Sequence, residues 1–514
     1  MASHTDAQER LEGHSRLEES EKHDSHQSSV LEAVGDHAQV VDPEIEARVV
    51  RKIDFFLMPA MVIALFGMTG DLQLSIIDNS VTPPKTDTTR LSWATSIFYF
   101  GQLIGSYPMT YLLQRFNTRW TLGPVVMIWA IICAATAGVT SWQGLLVQRF
   151  FLESIIPTAF MTTVSGYYTQ KEQALRQSWW FSGTGWFTII GSALNYGFAQ
   201  IKGGALAPWQ YIYVLAGGLT FLFGIWCFFL PNSPLTAWFL KPEERTVAVE
   251  RLRRGQTGVK NQTIKGSQIK EAVLDPKVWL VALTMASGYT VNGAVSGFGP
   301  LIVSTFGYSA LDSILFQFPL GAICAVGIPL TGWLCSKYRN IRIITLIVCT
   351  LPVIAGFFTI WKSEWGVRPV APVVGYSLIG FFGPVVSLTV TLGAGNVAGE
   401  TKKSFMASAV FVAYCVGNIV GPQLVRSETK AQHYPELWTG LIIWYAVFKV
   451  PPMDKWLTNN CSYCITIVSA SALYVLLWKE NKRRDSLDLD ESERDRLAFK
   501  DLTDKGNLHF RYVL

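Results

Sequence analysis

Long apolar stretches recur along the chain between Phe55 and Trp478, and shorter polar segments separate them. Each has about 20 residues, the length that an α-helix needs to cross roughly 30 Å of hydrocarbon. We count twelve, near 55–77, 92–113, 121–140, 143–168, 178–199, 210–230, 278–303, 313–335, 341–361, 370–394, 405–425 and 461–478. The pattern predicts an all-α polytopic membrane protein with twelve transmembrane helices.

The predicted spans form two sets of six, in residues 51–230 and 278–478. The linker between them, 231–277, is polar and rich in Lys and Arg. Residues 1–50 carry twelve acidic and three basic side chains up to Glu46, a composition that predicts a disordered tail. Residues 479–514 are also polar, and we predict that they form a second tail. Because Lys and Arg concentrate on the cytosolic side of membrane proteins, the basic linker predicts that it and both termini are cytosolic.

Composition supports a membrane protein. The chain is 50% hydrophobic and 16% charged, with a mean hydropathy of +0.27, whereas about a quarter of a soluble chain is charged. The net charge of +5 is too small to indicate a nucleic-acid surface. The eight cysteines lie mostly in apolar runs, which predicts buried free thiols, and Cys461-x-x-Cys464 has no nearby ligands to complete a metal site.

The sequence lacks residues that several classes of membrane enzyme and ATP-driven transporter require. No histidine occurs between residues 38 and 432, which argues against membrane enzymes that bind iron through histidine clusters or use a buried histidine. No phosphate-binding Gly-x-x-x-x-Gly-Lys-Ser/Thr loop is present for ATP. We therefore expect no catalytic residues, metal or cofactor, and a two-half bundle with no ATP site indicates transport driven by gradients.

Charged residues inside predicted spans are costly unless they face a cavity or a partner. Arg149 and Glu153 are four apart in the fourth span, so they share one helix face. In one interpretation Arg149 binds an anion and Glu153 binds a proton. In the other, the two side chains form a salt bridge at the membrane edge. Asp71 lies near the end of the first span and fits the span or the outer loop equally.

Uncharged polar residues also occur within the spans. They are Gln102, Asn195, Asn292, Gln317, Asn396 and Asn418, and Tyr99, Trp186 and Tyr289 lie near them in sequence. Each alone is explained by a hydrogen bond between helices. As a set in a two-half bundle they suit a small polar solute bound at mid-membrane. Gly101-x-x-x-Gly105 and Gly417-x-x-x-Gly421 predict close helix packing.

Several strings resemble one known family. They include Ser92-Trp-Ala-Thr-Ser-Ile-Phe-Tyr-Phe-Gly101, Tyr168-Thr-Gln-Lys-Glu-Gln173, Trp180-Phe-Ser-Gly-Thr-Gly-Trp186, Leu230-Pro-Asn-Ser-Pro234 and Asp501-Leu-Thr-Asp-Lys505. Together they resemble the major facilitator superfamily, in the fungal allantoate permease-like branch of the anion:cation symporters. The resemblance covers almost the whole membrane region.

The resemblance implies the major facilitator fold and a plasma-membrane importer that moves a small, usually anionic metabolite with protons. We expect a monomer. It also implies that Asp71 and Glu153 couple to protons and that Arg149 contacts the anion. Two departures from the family pattern weaken the assignment of these roles to this sequence. Leu72 follows Asp71 where the family usually has a basic residue, and Arg149 and Glu153 are about one helical turn closer than in the family.

The segment 441–460 is a third departure, because it looks inserted before a complete last span. An interfacial or re-entrant piece is one interpretation, and a retained intron is the other. Transcript reads that join Gly440 to Cys461 would remove it. Export of a secondary metabolite and a non-transporting nutrient receptor remain alternatives to import, although the absence of proline from 179–199 favours import over antiport.

Overall fold

The computed structural model describes residues 44–56, 77–78, 85–86, 88–152, 167–201, 205–231, 233–254, 264–363, 369–425, 434, 437–438, 441, 462–487 and 501–514. Asp71, Glu153, most of the first predicted span and nearly all of the segment 441–460 lie outside these residues. Our predictions for them stay predictions.

The N-terminal half begins with helical residues 44–56. A short antiparallel pair, β1 (Ile77–Asp78) and β2 (Lys85–Thr86), precedes the second span. The helices that follow are α1 (Thr88–Arg115), α2 (Thr118–Ala135), α3 (Trp142–Leu152), α4 (Gln170–Phe181), α5 (Gly183–Ala199) and α6 (Pro208–Cys227). Local sequence sets several of their starts. Pro208 fits the first position of α6, where no N–H is needed, and at the start of α4 the Glu172 carboxylate accepts the Thr169 N–H at 3.1 Å.

The linker contributes α7 (Pro242–Arg254) and α8 (Gly266–Val273). The C-terminal half contains α9 (Pro276–Ser304), α10 (Ala310–Leu315), α11 (Gln317–Lys337), α12 (Arg342–Lys362), α13 (Val370–Leu378), α14 (Phe382–Gly395), α15 (Glu400–Gln423) and α16 (Ser462–Asp485). Asp275 caps α9 by accepting a hydrogen bond of 3.2 Å from the Lys277 N–H.

Within the described residues, seven helical segments are long and apolar enough to cross a membrane. They are Thr118–Gly138, Pro208–Cys227, Pro276–Val295, Asp312–Lys337, Arg342–Lys362, Val370–Gly395 and Glu400–Gln423. Each coincides with a predicted span, so hydropathy located these helices correctly. Many of their large apolar side chains, such as Ile128 and Ile131 on α2, are exposed, as expected for surfaces that face lipid.

The two halves meet where α1 packs against α15, α4 and α5 pack against α11, and α4 packs against α14. At Gly185 of α5 a Cβ atom would overlap the backbone of Ala325 and Gly321 on α11. The missing side chain therefore lets α5 and α11 approach to backbone contact. We call the contact between α1 and α15 the seam.

The linker lies at one end of the bundle, which we call the linker face. There Arg251 of α7 pairs with Glu46 at 2.9 Å and with Glu172 of α4 at 2.6 Å. Arg176 pairs with Asp54 at 2.8 Å. These ion pairs join the linker helix α7 to the first helical residues and to the start of α4.

The second glycine pair packs as predicted. Gly417 and Gly421 of α15 face the backbone of α9, and a Cβ atom on Gly421 would overlap the Thr290 carbonyl oxygen. Such overlap cannot be relieved by turning a side chain, so α15 would have to move away from α9.

We expect Gly421→Ala to lower the free energy of unfolding by about 1–3 kcal/mol. Gly218→Ala on α6 is the matched control, because nothing lies within 4 Å of its added Cβ. There alanine should be neutral or slightly stabilising, since it favours helix more than glycine does. Thermal unfolding in detergent compares the two, and equal melting temperatures would contradict the packing argument.

Candidate functional site

Polar and aromatic side chains from both halves meet at the seam. Tyr99 and Gln102 lie on α1, Tyr289 and Asn292 lie on α9, and α15 contributes Tyr414, Cys415 and Asn418. We call these seven residues the tyrosine–amide cluster. Tyr99 and Gln102 are three residues apart, as are Tyr289 and Asn292, so each pair projects from one side of its helix.

The three tyrosine rings pack edge to face around Tyr414. Its ring centroid lies 4.3 Å from that of Tyr289 and 5.6 Å from that of Tyr99. Tyr99 and Tyr289 are each only 5% exposed. Ring pairs in this geometry attract each other beyond the simple burial of area, so the rings hold α1, α9 and α15 together.

Amide groups continue the cluster beside the rings. The Asn292 amide donates to Asn418 Oδ1 at 2.8 Å, and Asn418 in turn donates to the Tyr414 carbonyl at 2.9 Å. Cys415 donates to Gln102 Oε1 at 3.3 Å, across the seam. Gln102 and Asn418 are fully buried. The cluster is therefore a buried polar centre near the middle of α1 and α9 and in the second half of α15.

The seam continues from the cluster away from the linker face. Ser96 donates to the Ile419 carbonyl at 3.2 Å and accepts from Gln423 at 3.1 Å. Ser92 donates to the Pro422 carbonyl at 2.9 Å. Because α15 begins at the linker face and ends at Gln423, these bonds close the two halves together on the opposite side of the cluster.

Arg149 is 3% exposed on α3. Its Nη1 donates to the Ala94 carbonyl of α1 at 3.5 Å. Helix α3 packs against the side of α1 that carries Gly101, whereas Tyr99 lies on the side that faces α15. The structure therefore places the guanidinium next to α1 but on the other side of that helix from the tyrosine rings. A buried guanidinium within a membrane helix is costly, so the predicted role of Arg149 in binding an anion stays a prediction beside its observed contact with α1.

Other predicted residues lie apart from the cluster. Gln317 donates to the Tyr376 hydroxyl at 2.8 Å, which joins α11 to α13. On α5, Trp186 is 50% exposed and Asn195 is partly buried. The Gln317 bond matches the simpler interpretation of a hydrogen bond between helices.

Asn396 lies at the linker face. Its amide nitrogen donates to the Val513 carbonyl at 3.0 Å, and its Oδ1 accepts from the Val513 N–H at 2.7 Å. Both ends of the amide are thus bound to the backbone of the C-terminal residues. The structure therefore places Asn396 at the linker face with both amide groups bonded to peptide backbone, and the prediction that it contacts solute stays a prediction.

Sequence reasoning missed Tyr414 and gave Tyr289 only as a neighbour of Asn292. A signal was present, because an aromatic residue precedes an amide by one helical turn at all three sites. The three pairs are Tyr99-x-x-Gln102, Tyr289-x-x-Asn292 and Tyr414-x-x-x-Asn418. Tyrosine and amide at this spacing form one surface on a helix, which marks those helices as sides of a shared centre.

Among the described residues, one acidic group is compact enough to be considered for a metal ion: Glu271, Asp275 and Asp504. The Lys402 ammonium group is within 2.8 Å of all three carboxylates, and Lys277 pairs with Asp275 and Asp504. Lysine ammonium groups already provide the positive charge that a metal would supply. The group is therefore an ion-pair network and does not suit a metal.

Comparison with known proteins gives consistent results. A family model described as Major Facilitator Superfamily matches residues 53–422. An uncharacterized transporter of Schizosaccharomyces pombe is 30% identical, over 92% of this chain and 91% of its own length. The allantoate permease of Saccharomyces cerevisiae is 30% identical over 92% of this chain and 88% of its own, and the thiamine pathway transporter of the same yeast is 28% identical over 91% and 87%.

Solved structures show the same fold at low identity. A proton:xylose symporter of the major facilitator superfamily superposes with a TM-score of 0.61 at 14% identity, covering 83% of this chain and 95% of its own. The transporter FucP in its outward conformation gives 0.54 at 11% identity, covering 82% and 98%. Similarity at this level concerns the arrangement of the helices and not the solute.

Proposed function

This chain is a multi-pass membrane transporter of the Major Facilitator Superfamily, and we propose that it imports a small organic anion together with protons. The tyrosine–amide cluster is the observation that carries the proposal. Its members come from α1 of one half and from α9 and α15 of the other. A solute that contacts both halves at mid-membrane changes which side of the transporter is closed, as alternating access requires.

The proposed roles follow from the side chains. Tyrosine rings pack on flat or apolar parts of a solute, and the amides of Gln102 and Asn292 bond its polar groups. Arg149 lies on the opposite side of α1 from the rings, so its proposed contact with the anionic group requires α1 to turn or shift during the transport cycle. Rotation of these side chains on solute binding would exchange the present contacts between helices for contacts with solute.

Proton coupling rests on the family resemblance. Asp71 and Glu153 remain the proposed proton carriers, since a carboxylate inside the membrane changes its charge when it binds a proton. We propose that the linker face is cytosolic and that the protein lies in the plasma membrane, based on the basic residues of the linker and of the start and end of the membrane region.

The similar transporters suggest only broad classes of solute to test. The similar allantoate permease makes a ureide carboxylate the first solute to test, and the thiamine pathway relative adds vitamins. Export of a secondary metabolite is the second candidate, because the two-half site itself has no preferred direction. A receptor that binds without transport is the third.

Radiolabel uptake tests the proposal in yeast that lacks its own allantoate-type permeases. The panel contains ureides, nicotinate-like vitamins, dipeptides and carboxylates, and the chain is expressed with and without 441–460. We expect uptake of one class to be faster at an outside pH of about 5 than at about 7, because the inward proton gradient is steeper, and to collapse with a protonophore. Surface-located protein with no uptake in either form would contradict import and favour export or a receptor.

A further inference from the structure

Residues 501–514, which we call the tail, pack against the linker face of the C-terminal half. Phe510, Tyr512 and Leu514 are at most 5% exposed, and Arg342 of α12 donates its backbone N–H to the Leu514 oxygen at 2.8 Å. Residues 486–500 separate the tail from the end of α16 at Asp485. The tail thus contacts the linker face through buried side chains and through its backbone.

Asp504 brings the tail into the ion-pair network. Its carboxylate pairs with Lys277 of α9 and, at 2.7 Å, with Lys402 of α15, and it accepts from the Tyr512 hydroxyl at 2.7 Å. Burial alone would raise the pKa of the Asp504 carboxyl, but the charges and hydrogen bonds of the two lysines outweigh it and lower the pKa to about 2. Asp504 thus stays ionised at physiological pH and bridges α9 and α15.

Arg484 of α16 holds the tail backbone. It donates to the carbonyl oxygens of Asp504, Asn507 and Phe510 at 2.8, 3.1 and 2.8 Å, and to the Tyr512 hydroxyl at 3.0 Å. The guanidinium is almost completely buried. A buried charge with this many hydrogen bonds requires its acceptors to stay in place, so α16 and the tail are closely joined.

The tail also completes the start of α15. The N-cap residue is Gly399, which has no side chain to accept from the first N–H groups of the helix. Asp501 supplies the missing acceptor, because its Oδ1 takes the Glu400 N–H at 2.7 Å. Gln268 of the linker helix α8 takes the Lys402 N–H at 3.2 Å. Two segments distant in sequence therefore cap this helix.

The same helix makes the seam at its other end. From the capped residue Glu400, α15 runs without a break to Gln423, which bonds Ser96 of α1. A helix is stiff over this length, so a tilt at the linker face would move the seam end as well. Between its two ends α15 is joined to α9 by the Tyr289 and Tyr414 rings and by the hydrogen bond from Asn292 to Asn418, so a tilt of α15 would have to carry α9 with it or break these contacts.

We propose that the tail is a detachable clamp that fixes α15 to the rest of the C-terminal half, and that its release loosens the seam between α15 and α1. The proposal goes beyond transport as such and concerns its control. Docking stabilises the closed seam because the tail binds α15 in the orientation that the seam requires. A factor that binds or modifies the tail would then change the balance between closed and open seams without touching the solute.

Cross-linking across the seam tests this in the full-length chain. Ser96→Cys and Gln423→Cys place two thiols at positions now joined by a hydrogen bond, and the rate of cross-linking by a short bis-thiosulfonate reports closure, with each single cysteine as background. Asp501→Ala removes the acceptor that caps α15. We expect cross-linking about fivefold slower, which corresponds to the usual effect of losing a helix cap.

Asp485→Asn is the matched control, because it breaks the exposed pair between Arg511 of the tail and Asp485 of α16, which joins nothing to α15. It should leave cross-linking unchanged. Tryptic cleavage at Lys505 and Arg511 measures tail release independently. If Asp501→Ala alone does not speed that cleavage, cleavage and cross-linking are measured in the double variant Asp501→Ala and Asn396→Ala, which also loses the hydrogen bonds between Asn396 and Val513. Faster cleavage with unchanged cross-linking would overturn the proposal and leave the tail as a local brace.

Discussion

Replacing Arg149 by glutamine is expected to lower the initial rate of solute uptake about 100-fold at the same surface abundance. The guanidinium is 3% exposed on α3, where burying a charge is costly, and we propose that the charge is retained because it meets the anion during the transport cycle. A loss of this size corresponds to about 2.7 kcal/mol, which is typical of one charge-assisted hydrogen bond that bears on a buried ionic group. Arg149→Lys keeps the charge but loses the two-pronged geometry, so we expect an intermediate loss of about tenfold.

Arg119→Gln is the control for charge removal. Arg119 lies over the exposed Trp120 ring next to the start of α2, so its loss should leave uptake unchanged. Uptake measured over a range of solute concentrations separates weaker binding from slower movement. The structure shows Arg149 bonded to Ala94, on the far side of α1 from the tyrosine rings. If the Arg149→Gln variant has a lower surface abundance and a lower melting temperature but transports normally per molecule, then the contact with α1 is the whole role of Arg149.

Hydropathy predicted the spanning helices because each must bury its backbone polar groups in its own hydrogen bonds and present apolar side chains to lipid. The glycine pair at Gly417 and Gly421 was readable for a similar reason, since two small residues one turn apart leave a groove on any helix. Both signals are local. They depend on residues within a few turns and not on which other helix is nearby.

The sequence was less informative about which groups the polar side chains contact. An amide has the same hydropathy whether it bonds a solute, a helix or a tail, so Asn292 and Asn396 looked alike in sequence. The structure places Asn292 against Asn418 at the seam and Asn396 against Val513, 117 residues away in sequence. Distant contacts of this kind follow from the packed fold, and no local pattern in the chain encodes them.

Tail docking was missed for the same reason. The sequence predicts 479–514 to be a polar tail, and the charges of Asp501 and Asp504 support that description. Their partners Lys277, Lys402 and the first N–H of α15 come together only after α9 and α15 have packed. The apolar and aromatic residues Phe510, Tyr512 and Leu514 in this segment were the available signal, since such residues are usually buried.

Lys402→Met is expected to have the largest effect on stability, with a loss of about 3–5 kcal/mol. Lys402 is completely buried and pairs with Glu271, Asp275 and Asp504 at 2.7–2.8 Å. Methionine fills a similar volume but leaves three close carboxylates with Lys277 as their nearest buried cation. Like charges in a buried site repel strongly, so the start of α15 would separate from α9 and the tail. Thermal unfolding in detergent and surface abundance in cells measure the loss.

Lys265→Met is the matched control, because Lys265 is 39% exposed and pairs with the tail residue Asp501. An exposed ion pair contributes at most about 1 kcal/mol, so this variant should melt close to the wild-type protein. Adding Asp504→Asn to Lys402→Met removes one of the repelling charges and should recover part of the lost stability, whereas Asp504→Asn alone should destabilise. A recovery of this kind is a coupling energy between two residues in contact. Additive losses would mean that packing, and not charge balance, joins α15 to the tail at the linker face.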